Sequence, residues 1–341
     1  MKLRASVVLA VILLGSALCA RLYSQRAAQP DTPGPLAFLN HYHPVVDAHN
    51  CYPYEGKWAD RIDRALKAGF PVSIEQDIAW ANGHPVVTHT AKTTGSEPAL
   101  RDYFFEHIRP IVEQALAKND RARWPLIILH FDFKSLEPQV LHGVWDVLGE
   151  YQSWITTAPQ TGDPHELGAF DPKPILVITE DADAQEDVFF RGLRPGERLR
   201  VFGSAHSAPV QADSREQRMH LLATASPAQL LMERPTNYRR WWNNSWFAVE
   251  EGGQTKAGEW TPAANQRLRA LVDRAHALGY WIRFYTLDGF TEAEDRGWDK
   301  GYNFGSRERV MARWKAAYEA GVDFIATDQY EDMADYFKAL R

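Results

Sequence analysis

Short apolar runs alternate along this chain with longer stretches whose apolar residues recur at helical spacing. This alternation predicts a parallel sheet whose strands are joined by crossover helices. The eight candidate strands are residues 45–50, 72–80, 126–134, 175–179, 199–204, 246–250, 281–288 and 324–328. Eight strands close a (βα)8 barrel, so the predicted fold class is an α/β TIM barrel. Residues 221–225 are a competing strand candidate.

Amphipathic stretches between these runs predict the crossover helices. They cover residues 58–68, 100–118, 136–150, 262–278 and 307–320. Gly69, Gly279 and Gly321 each follow one of these stretches, as the cap at the end of a helix favours. Two segments rich in glycine, proline and polar residues, 156–173 and 252–260, are interpreted as insertions.

The N-terminus has the pattern of a secretory signal, with Lys2 and Arg4 ahead of an apolar run over residues 5–20. Such a run is shorter than the roughly 20 residues that a membrane span needs. We therefore expect residues 1–24 to be a signal peptide or N-terminal anchor, 25–40 a polar linker and 41–341 a single domain. The protein is expected to be exported to the periplasm or the medium, with or without a retained anchor.

Composition and charge narrow the range of partners. The formal net charge is −6, from 38 basic and 44 acidic residues with no long run of one sign. This pattern lacks the basic footprint of a nucleic-acid-binding protein. A phosphorylated substrate would need local positive charge from a metal or a few Lys and Arg side chains. The sequence carries no signal for an oligomeric state.

Carboxylates collect at the ends of two neighbouring candidate strands. Glu75 and Asp77 are two apart on the second strand and therefore share a face. On the third strand His130, Asp132 and Lys134 share a face in the same way. Three carboxylates suit one Ca²⁺ or Mg²⁺ ion, with oxygen distances of roughly 2.0–2.6 Å when it is bound. An acidic solvent-facing strand and an Asp–Lys salt bridge are the structural alternatives.

Two histidines are candidates for proton transfer. His49 ends the first candidate strand, where barrel enzymes place their chemistry. His89 follows an Asn82-Gly83 turn that folds the chain back towards the acidic strand. An ideal two-residue hairpin would pair His89 with Gln76 and leave it on the wrong face. We therefore expect either a bulge over residues 82–85 or a chain that leaves the ladder before His89.

Several segments, taken in order, resemble one family. They are AHN (48–50), IEQDI (74–78), GHPVVTH (83–89), YTLD (285–288) and AGVDFIATD (320–328). Together they are similar to the glycerophosphodiester phosphodiesterases and the broader phospholipase C-like phosphodiesterase superfamily. The chain differs at Asn50, where glycerophosphodiesterases carry Arg and phosphatidylinositol-specific phospholipase-like relatives carry Asn. It differs again at Asp132, where they commonly use Glu.

The resemblance implies a TIM barrel of the phospholipase C-like phosphodiesterase type. It also implies a metal-dependent phosphoric diester hydrolase acting on a glycerophosphodiester or phospholipid-type substrate. In that interpretation His49 and His89 are the catalytic acid and base, and Glu75, Asp77 and Asp132 hold the ion.

Substrate contacts are expected from Asn50, Lys134, Arg283 and Tyr285. Lys134 offers a cation to a phosphate, and Arg283 and Tyr285 share a face of the seventh candidate strand. A barrel carboxylate is the alternative partner of Arg283. The aromatic and basic run 238–246 could form a loop that contacts a headgroup, a sugar or a membrane surface.

Other functional classes remain open. A non-catalytic barrel that binds a phosphorylated ligand is one. An amidohydrolase-type metal hydrolase is another, although that chemistry needs a His-x-His pair and Cys51 stands in the second position. A glycosidase would need two carboxylates flanking the sugar bond, and Glu75 and Asp77 are too close in direction.

Overall fold

The computed structural model describes residues 44–53, 59–206, 211–294 and 300–340, which belong to one compact unit. The predicted signal segment 1–24 and linker 25–40 lie outside the described residues, as does residue 58 of the first predicted helix. Among the described residues, no helix is both long and apolar enough to span a membrane.

Eight parallel strands close into a barrel, which confirms the predicted fold class. Their neighbours run β1, β2, β4, β6, β8, β9, β10 and β11, and β11 pairs with β1 again. β3 forms an antiparallel hairpin with β2, and β5 pairs with β7 outside the barrel. The strands are β1 Val45–Ala48, β2 Val72–Ala81, β3 His84–Val87, β4 Ile127–Phe133, β5 Ala158–Pro159, β6 Ile175–Thr179, β7 Arg198–Leu199, β8 Phe202–Ser204, β9 Arg239–Ser245, β10 Trp281–Tyr285 and β11 Phe324–Thr327.

Helices connect the barrel strands. They are α1 Arg61–Ala68, α2 His107–Lys118, α3 Pro138–Glu150, α4 Asp183–Glu186, α5 Arg215–Thr224, α6 Pro227–Leu230, α7 Gly253–Lys256, α8 Pro262–Leu278, α9 Arg307–Ala320 and α10 Tyr330–Leu340. A π-helical turn, Arg101–Glu106, precedes α2. The predicted bounds of α8 and α9 are confirmed. Residues 221–225 lie largely in α5 and are not a strand.

Local chemistry explains why α8 begins and ends where it does. The Thr261 side chain accepts a hydrogen bond from the Ala264 backbone, and Pro262 occupies the first turn, where its missing N–H costs nothing. Gly279 ends the helix at φ 93°, a left-handed conformation that favours glycine.

The sixth barrel strand is misplaced in the sequence prediction. Residues 246–250 do not form a strand, because the Ser245 side chain accepts a bond from the Phe247 backbone and begins a 3₁₀ turn at Trp246. The barrel strand is the preceding β9. The run 238–246 is therefore mostly a buried strand and not a surface loop, with Trp241 and Trp242 in the core.

The insertion after α3 packs back onto the outside of the barrel. Arg240 is buried in β9 and donates to the Gly168 carbonyl at 3.0 Å and to Asn237 Oδ1 at 2.8 Å. Its guanidinium lies 5.0 Å from the centroid of the Phe170 ring. Burial lowers the pKa of Arg240 to about 10. An outward-facing strand residue thus fixes a loop that the sequence predicted only as an insertion.

Candidate metal centre

The three carboxylates of Glu75, Asp77 and Asp132, here the Glu75 cluster, meet at the barrel mouth. β2 and β4 pair with Asp77 opposite Asp132 and Glu75 opposite His130. One oxygen from each carboxylate lies within 4.8 Å of the others. Glu75 and Asp77 are buried and Asp132 is half-buried. The shared face that the sequence predicted is present.

Asp77 supplies the test of whether these residues suit a metal. It is 1% exposed, and its Oδ1 atom has no hydrogen-bond partner among the described residues. Burial and the nearby charge of Asp132 raise the pKa of Asp77 to about 8. A buried carboxylate with a free oxygen is costly unless a cation compensates it. Three such hard oxygen donors fit a divalent ion of the Ca²⁺ or Mg²⁺ type.

Lys134 lies between the two aspartates. Its Nζ atom is 2.8 Å from Asp77 Oδ2 and 2.8 Å from Asp132 Oδ2. Burial opposes the charge of Lys134, but these carboxylates outweigh it and raise its pKa. The side chain is 20% exposed, so its ammonium also borders the open mouth. The salt bridge named as the alternative is present, and contact with a phosphate remains a prediction.

His49 follows β1 and points into the same space. Its Nδ1 atom is 3.0 Å from Asp328 Oδ1, and its Nε2 atom is 3.8 Å from Glu75 Oε2. An ionised carboxylate can only accept, so Asp328 favours a proton on Nδ1. Burial alone would lower the pKa of His49, but Glu75 and Asp328 outweigh it and raise it to about 9.

Asn50 braces His49. It is buried, adopts a left-handed backbone at φ 55°, and places its Nδ2 atom 2.6 Å from His49 Nδ1. An amide nitrogen can only donate, so Asn50 and Asp328 compete for this ring nitrogen: Asp328 requires a proton on it and Asn50 requires its lone pair. Tyr52 donates to Asn50 Oδ1 through its hydroxyl. These contacts favour a positioning role for Asn50, and its contact with a substrate remains a prediction.

Asp328 and Asp288 also lie beside His49 and are not among the site residues predicted from the sequence. The Thr327 hydroxyl and the Asp328 backbone donate to Asp288 Oδ1 at 2.7 and 2.8 Å. Burial and the charge of Asp328 raise the pKa of Asp288 to about 7. Both aspartates end segments that carried the family resemblance, which was the available signal.

His89 lies just beyond the end of the β2–β3 pairing, on a chain that has left the sheet. The β2–β3 hairpin is regular through the Asn82-Gly83 turn, and its pairing ends at Val87. No bulge occurs over residues 82–85, so the second expected route is the one taken. The exposed His89 ring lies 6.2 Å from the Tyr52 ring, and burial and the charge of Lys134 lower its pKa. Its catalytic role remains a prediction.

Arg283 lies beneath the Glu75 cluster. It is 2% exposed and donates through Nε to Asp47, through Nη2 to Glu75 Oε2 at 3.3 Å and through Nη1 to Asn243 Oδ1 at 3.1 Å. These contacts favour holding Glu75 over contacting a phosphate. The half-buried Tyr285 ring lies 5.5 Å from its guanidinium. Contacts of Arg283 and Tyr285 with a substrate remain predictions.

Glu180 is a further carboxylate at the mouth that the sequence analysis missed. It directly follows β6, and its Oε1 atom lies 2.9 Å from His130 Nε2. Asn243 Nδ2 donates to both of its oxygens, at 2.9 and 2.8 Å. The predicted strand 175–179 ends one residue before Glu180, and Asn243 lies in the run 238–246, which could form a loop according to the sequence.

A second group with metal-ligand spacing lies beside β6. Single ligand atoms of Asp183, Glu186 and His206 are within 4.8 Å of one another. Arg239 occupies this region, with contacts of 2.7 Å to Glu186, 2.7 Å to Asp181 and 3.5 Å to Asp183. The guanidinium already supplies the positive charge that these carboxylates require, so the group is better described as an ion-pair network.

No protein-family model and no curated protein matches the sequence. Glycerophosphodiester phosphodiesterases are among the solved structures similar to this chain. The one from Parabacteroides distasonis shares 12% identity over 87% of this chain and 98% of that chain, with a TM-score of 0.44. The one from Agrobacterium tumefaciens shares 12% identity over 86% and 99%, with a TM-score of 0.41.

Enzymes of a different kind have similar scores. The dihydropteroate synthase from Burkholderia cenocepacia shares 14% identity over 88% of this chain and 92% of that chain, with a TM-score of 0.38. At such identities and scores the activity has to be argued from the site itself.

Proposed function

We propose that this protein is a metal-dependent phosphoric diester hydrolase acting on a glycerophosphodiester or phospholipid-type substrate. The observation that carries the proposal is the Glu75 cluster, whose three carboxylate oxygens lie within 4.8 Å of one another with His49 beside them. A cation-binding group next to a positioned histidine is the minimum that metal-assisted hydrolysis requires.

The Glu75 cluster would hold one Ca²⁺ or Mg²⁺ ion. Bound there, the ion would neutralise part of the negative charge with which a phosphodiester repels an attacking nucleophile. Lys134 adds a second positive charge at the same place, because its ammonium lies 2.8 Å from two of the carboxylates and is partly open to the mouth. A flexible lysine stem allows the ammonium to turn towards a phosphate oxygen.

The two histidines divide the proton transfers. Asp328 holds His49 Nδ1, so the Nε2 atom faces the site. His89 lies at the rim, exposed on the side of Tyr52. One ring accepts the proton of the attacking hydroxyl, which belongs to water or to the substrate itself, and the other protonates the leaving oxygen.

A panel of phosphodiesters tests the proposal. Purified protein is assayed on glycerophosphodiesters, lysophospholipids and phosphatidylinositol across a Ca²⁺ and Mg²⁺ titration, with phosphorus NMR of the products. We expect hydrolysis of at least one class and loss of activity under exhaustive chelation. Equal activity with and without chelator would overturn the metal-dependent mechanism. No turnover of any diester with either ion would overturn the proposed reaction.

We also propose export, on the basis of residues 1–24. Cell fractionation of the full-length protein should find it outside the cytoplasm. Retention in the membrane pellet after a salt wash would favour an anchor over a cleaved signal, and recovery only in the cytoplasm would contradict the proposal.

A further inference from the structure

Glu180 has no part in the reaction proposed above, yet its carboxylate borders the same mouth. The side chain is 26% exposed while its hydrogen-bond partner His130 is fully buried. His130 and Asn243 hold it from the protein side, at 2.8–2.9 Å. Such bracing fixes the orientation of a carboxylate and leaves acceptor capacity on its open side. An ionised carboxylate can only accept, so a complementary ligand group must be a donor.

A cavity of about 100 Å³ opens beside Asn243, the residue that braces Glu180. It lies between α5 and the end of β9, and its lining includes Arg218, Leu222, Trp242, Asn244 and Tyr285. Asn243 connects the cavity with Glu180, because it lines the cavity and its Nδ2 atom donates to both Glu180 oxygens. The cavity and the Glu180 carboxylate are therefore adjacent.

The chemistry of this region selects among donors. The Asn244 side-chain amide and the Tyr285 hydroxyl can pair with hydroxyl groups, while Leu222 and Trp242 supply apolar wall. Arg218 in the lining disfavours a second positive charge such as a quaternary ammonium. A cavity of about 100 Å³ suits a small alcohol.

We propose that Glu180 and this adjoining cavity receive one ester alcohol of the substrate and select a small alcohol that carries several hydroxyl groups. Glu180 accepts from a hydroxyl of that alcohol, and the cavity wall packs against its carbon chain. As a statement about substrate selection, this proposal rests on the proposed diester hydrolase function. Binding of the free alcohol to this region can be measured even when no diester is hydrolysed.

Two diesters that share a methyl ester and differ in the second alcohol, glycerol or 1-propanol, give the kinetic test. We expect wild type to prefer the glyceryl diester in kcat/KM. Glu180→Gln keeps an acceptor for His130 but removes the charge, and Leu222→Trp fills the cavity. Each should reduce the preference by about 10-fold or more, because hydrogen bonds to charged groups are the stronger ones. Ala228→Trp, at an exposed position of α6 outside the cavity, should keep it.

Ligand-observed NMR with free glycerol, 1-propanol and choline separates the inference from the function. Binding of glycerol over 1-propanol that both variants lose and Ala228→Trp keeps would support the inference, even if no diester is hydrolysed. Hydrolysis with an unchanged preference in both variants would overturn it while leaving the proposed function intact. Glu180-dependent binding of choline in place of glycerol would overturn the choice of a hydroxylated alcohol. Thermal melts of each variant verify that it folds.

Discussion

Two acidic groups beside the barrel strands each contain three residues with the same close spacing of ligand atoms, within 4.8 Å of one another. They differ in which cations compensate their negative charge. The first is the Glu75 cluster. The second, here the Arg239 cluster, is Asp181, Asp183, Glu186 and His206 around Arg239. In the Arg239 cluster a buried, planar guanidinium donates to Glu186, to Asp181 and to the Ser204 carbonyl, each at 2.7 Å. The rigid guanidinium of Arg239 therefore neutralises the carboxylates around it through well-placed hydrogen bonds.

In the Glu75 cluster the guanidinium lies at one edge and not in the middle, since buried Arg283 donates to Glu75 Oε2 at 3.3 Å from beneath. The nearest cation in the cluster is the partly exposed Lys134 ammonium on a flexible stem, and Asp77 keeps one buried oxygen without a hydrogen-bond partner among the described residues. Burial and Asp132 raise the pKa of Asp77 to about 8. Proximity of carboxylates therefore does not by itself mark a site. Incomplete compensation does, because it leaves a place for a cation from outside.

The largest expected effect separates the two groups by a histidine in each. His49→Ala should lower kcat by about 10²–10⁴-fold without unfolding the protein, because it removes a general acid or base. His206→Ala removes a histidine that is 3.0 Å from Asp181 and outside the proposed reaction, so it should leave kcat within about 2-fold. His89→Ala should behave like His49→Ala. The measurement is steady-state kcat on the best diester. Equal losses of kcat in His49→Ala and His206→Ala would contradict the functional difference between the two clusters.

The converse prediction concerns stability. Arg239→Met leaves the buried Glu186 carboxylate without its closest cation and should lower the free energy of unfolding by about 3–5 kcal/mol. The activity of the remaining folded protein should be kept. Arg194→Met removes an exposed arginine paired with Glu197 and should leave the free energy of unfolding nearly unchanged, because solvent screens such a pair.

Urea denaturation of both arginine variants measures these free energies. A loss of activity in Arg239→Met at unchanged stability would show that the Arg239 cluster takes part in function.

Much of the barrel could be predicted because its strands are short apolar runs between amphipathic helices. β9 is not predicted from the sequence because it carries Arg239, Arg240, Asn243 and Asn244, and a strand with so many polar residues lacks the apolar signal. Those side chains are tolerated because residues from other strands and loops satisfy them, as Glu186 does for Arg239. The sequence of one strand does not contain its partners, so the apolar pattern favours the following residues 246–250 instead.

The same limit separates the predicted from the missed site residues. Glu75 and Asp77 follow from strand alternation, and Asp132 from the neighbouring strand end. Asp328 lies 279 residues from His49 in the sequence, and barrel closure alone brings the two together. No local pattern encodes that contact.

A smaller effect is expected on metal affinity. Asp132→Ala deletes one of three ligand candidates and should raise the metal concentration at half-maximal activity by more than about 10-fold, since losing even an outer partner of a metal site costs about 10–100-fold. Asp183→Ala in the Arg239 cluster should leave this concentration unchanged, because Asp183 is exposed and serves only the ion pairs there. Activity is titrated with Ca²⁺ and with Mg²⁺ in both variants. The same shift in each would mean that the titration reports general charge and not ligation.

The smallest effect comes from a carboxylate at the other end of the barrel, where compensation is complete. Asp323, at the amino end of β11, accepts from the Ile282 backbone at 2.7 Å and lies 2.9 Å from His276 Nε2. Burial alone would lower the pKa of His276, but Asp323 outweighs it and raises the pKa. The pair should stabilise the fold by less than about 1 kcal/mol, because the His276 side chain is 40% exposed.

The sign of the pH dependence distinguishes this end from the mouth. A raised folded-state pKa means that the His276 contribution is complete below the unfolded value of about 6.5 and disappears as pH rises through the folded value. The difference in unfolding free energy between wild type and His276→Gln should therefore shrink from pH 5.5 to pH 9, as measured by urea denaturation. Activity should not change, since the pair lies at the end of the strands that barrels reserve for stability. A difference that grows with pH would mean that His276 is stabilised as the neutral ring, and Asp323 would then not be its charge partner.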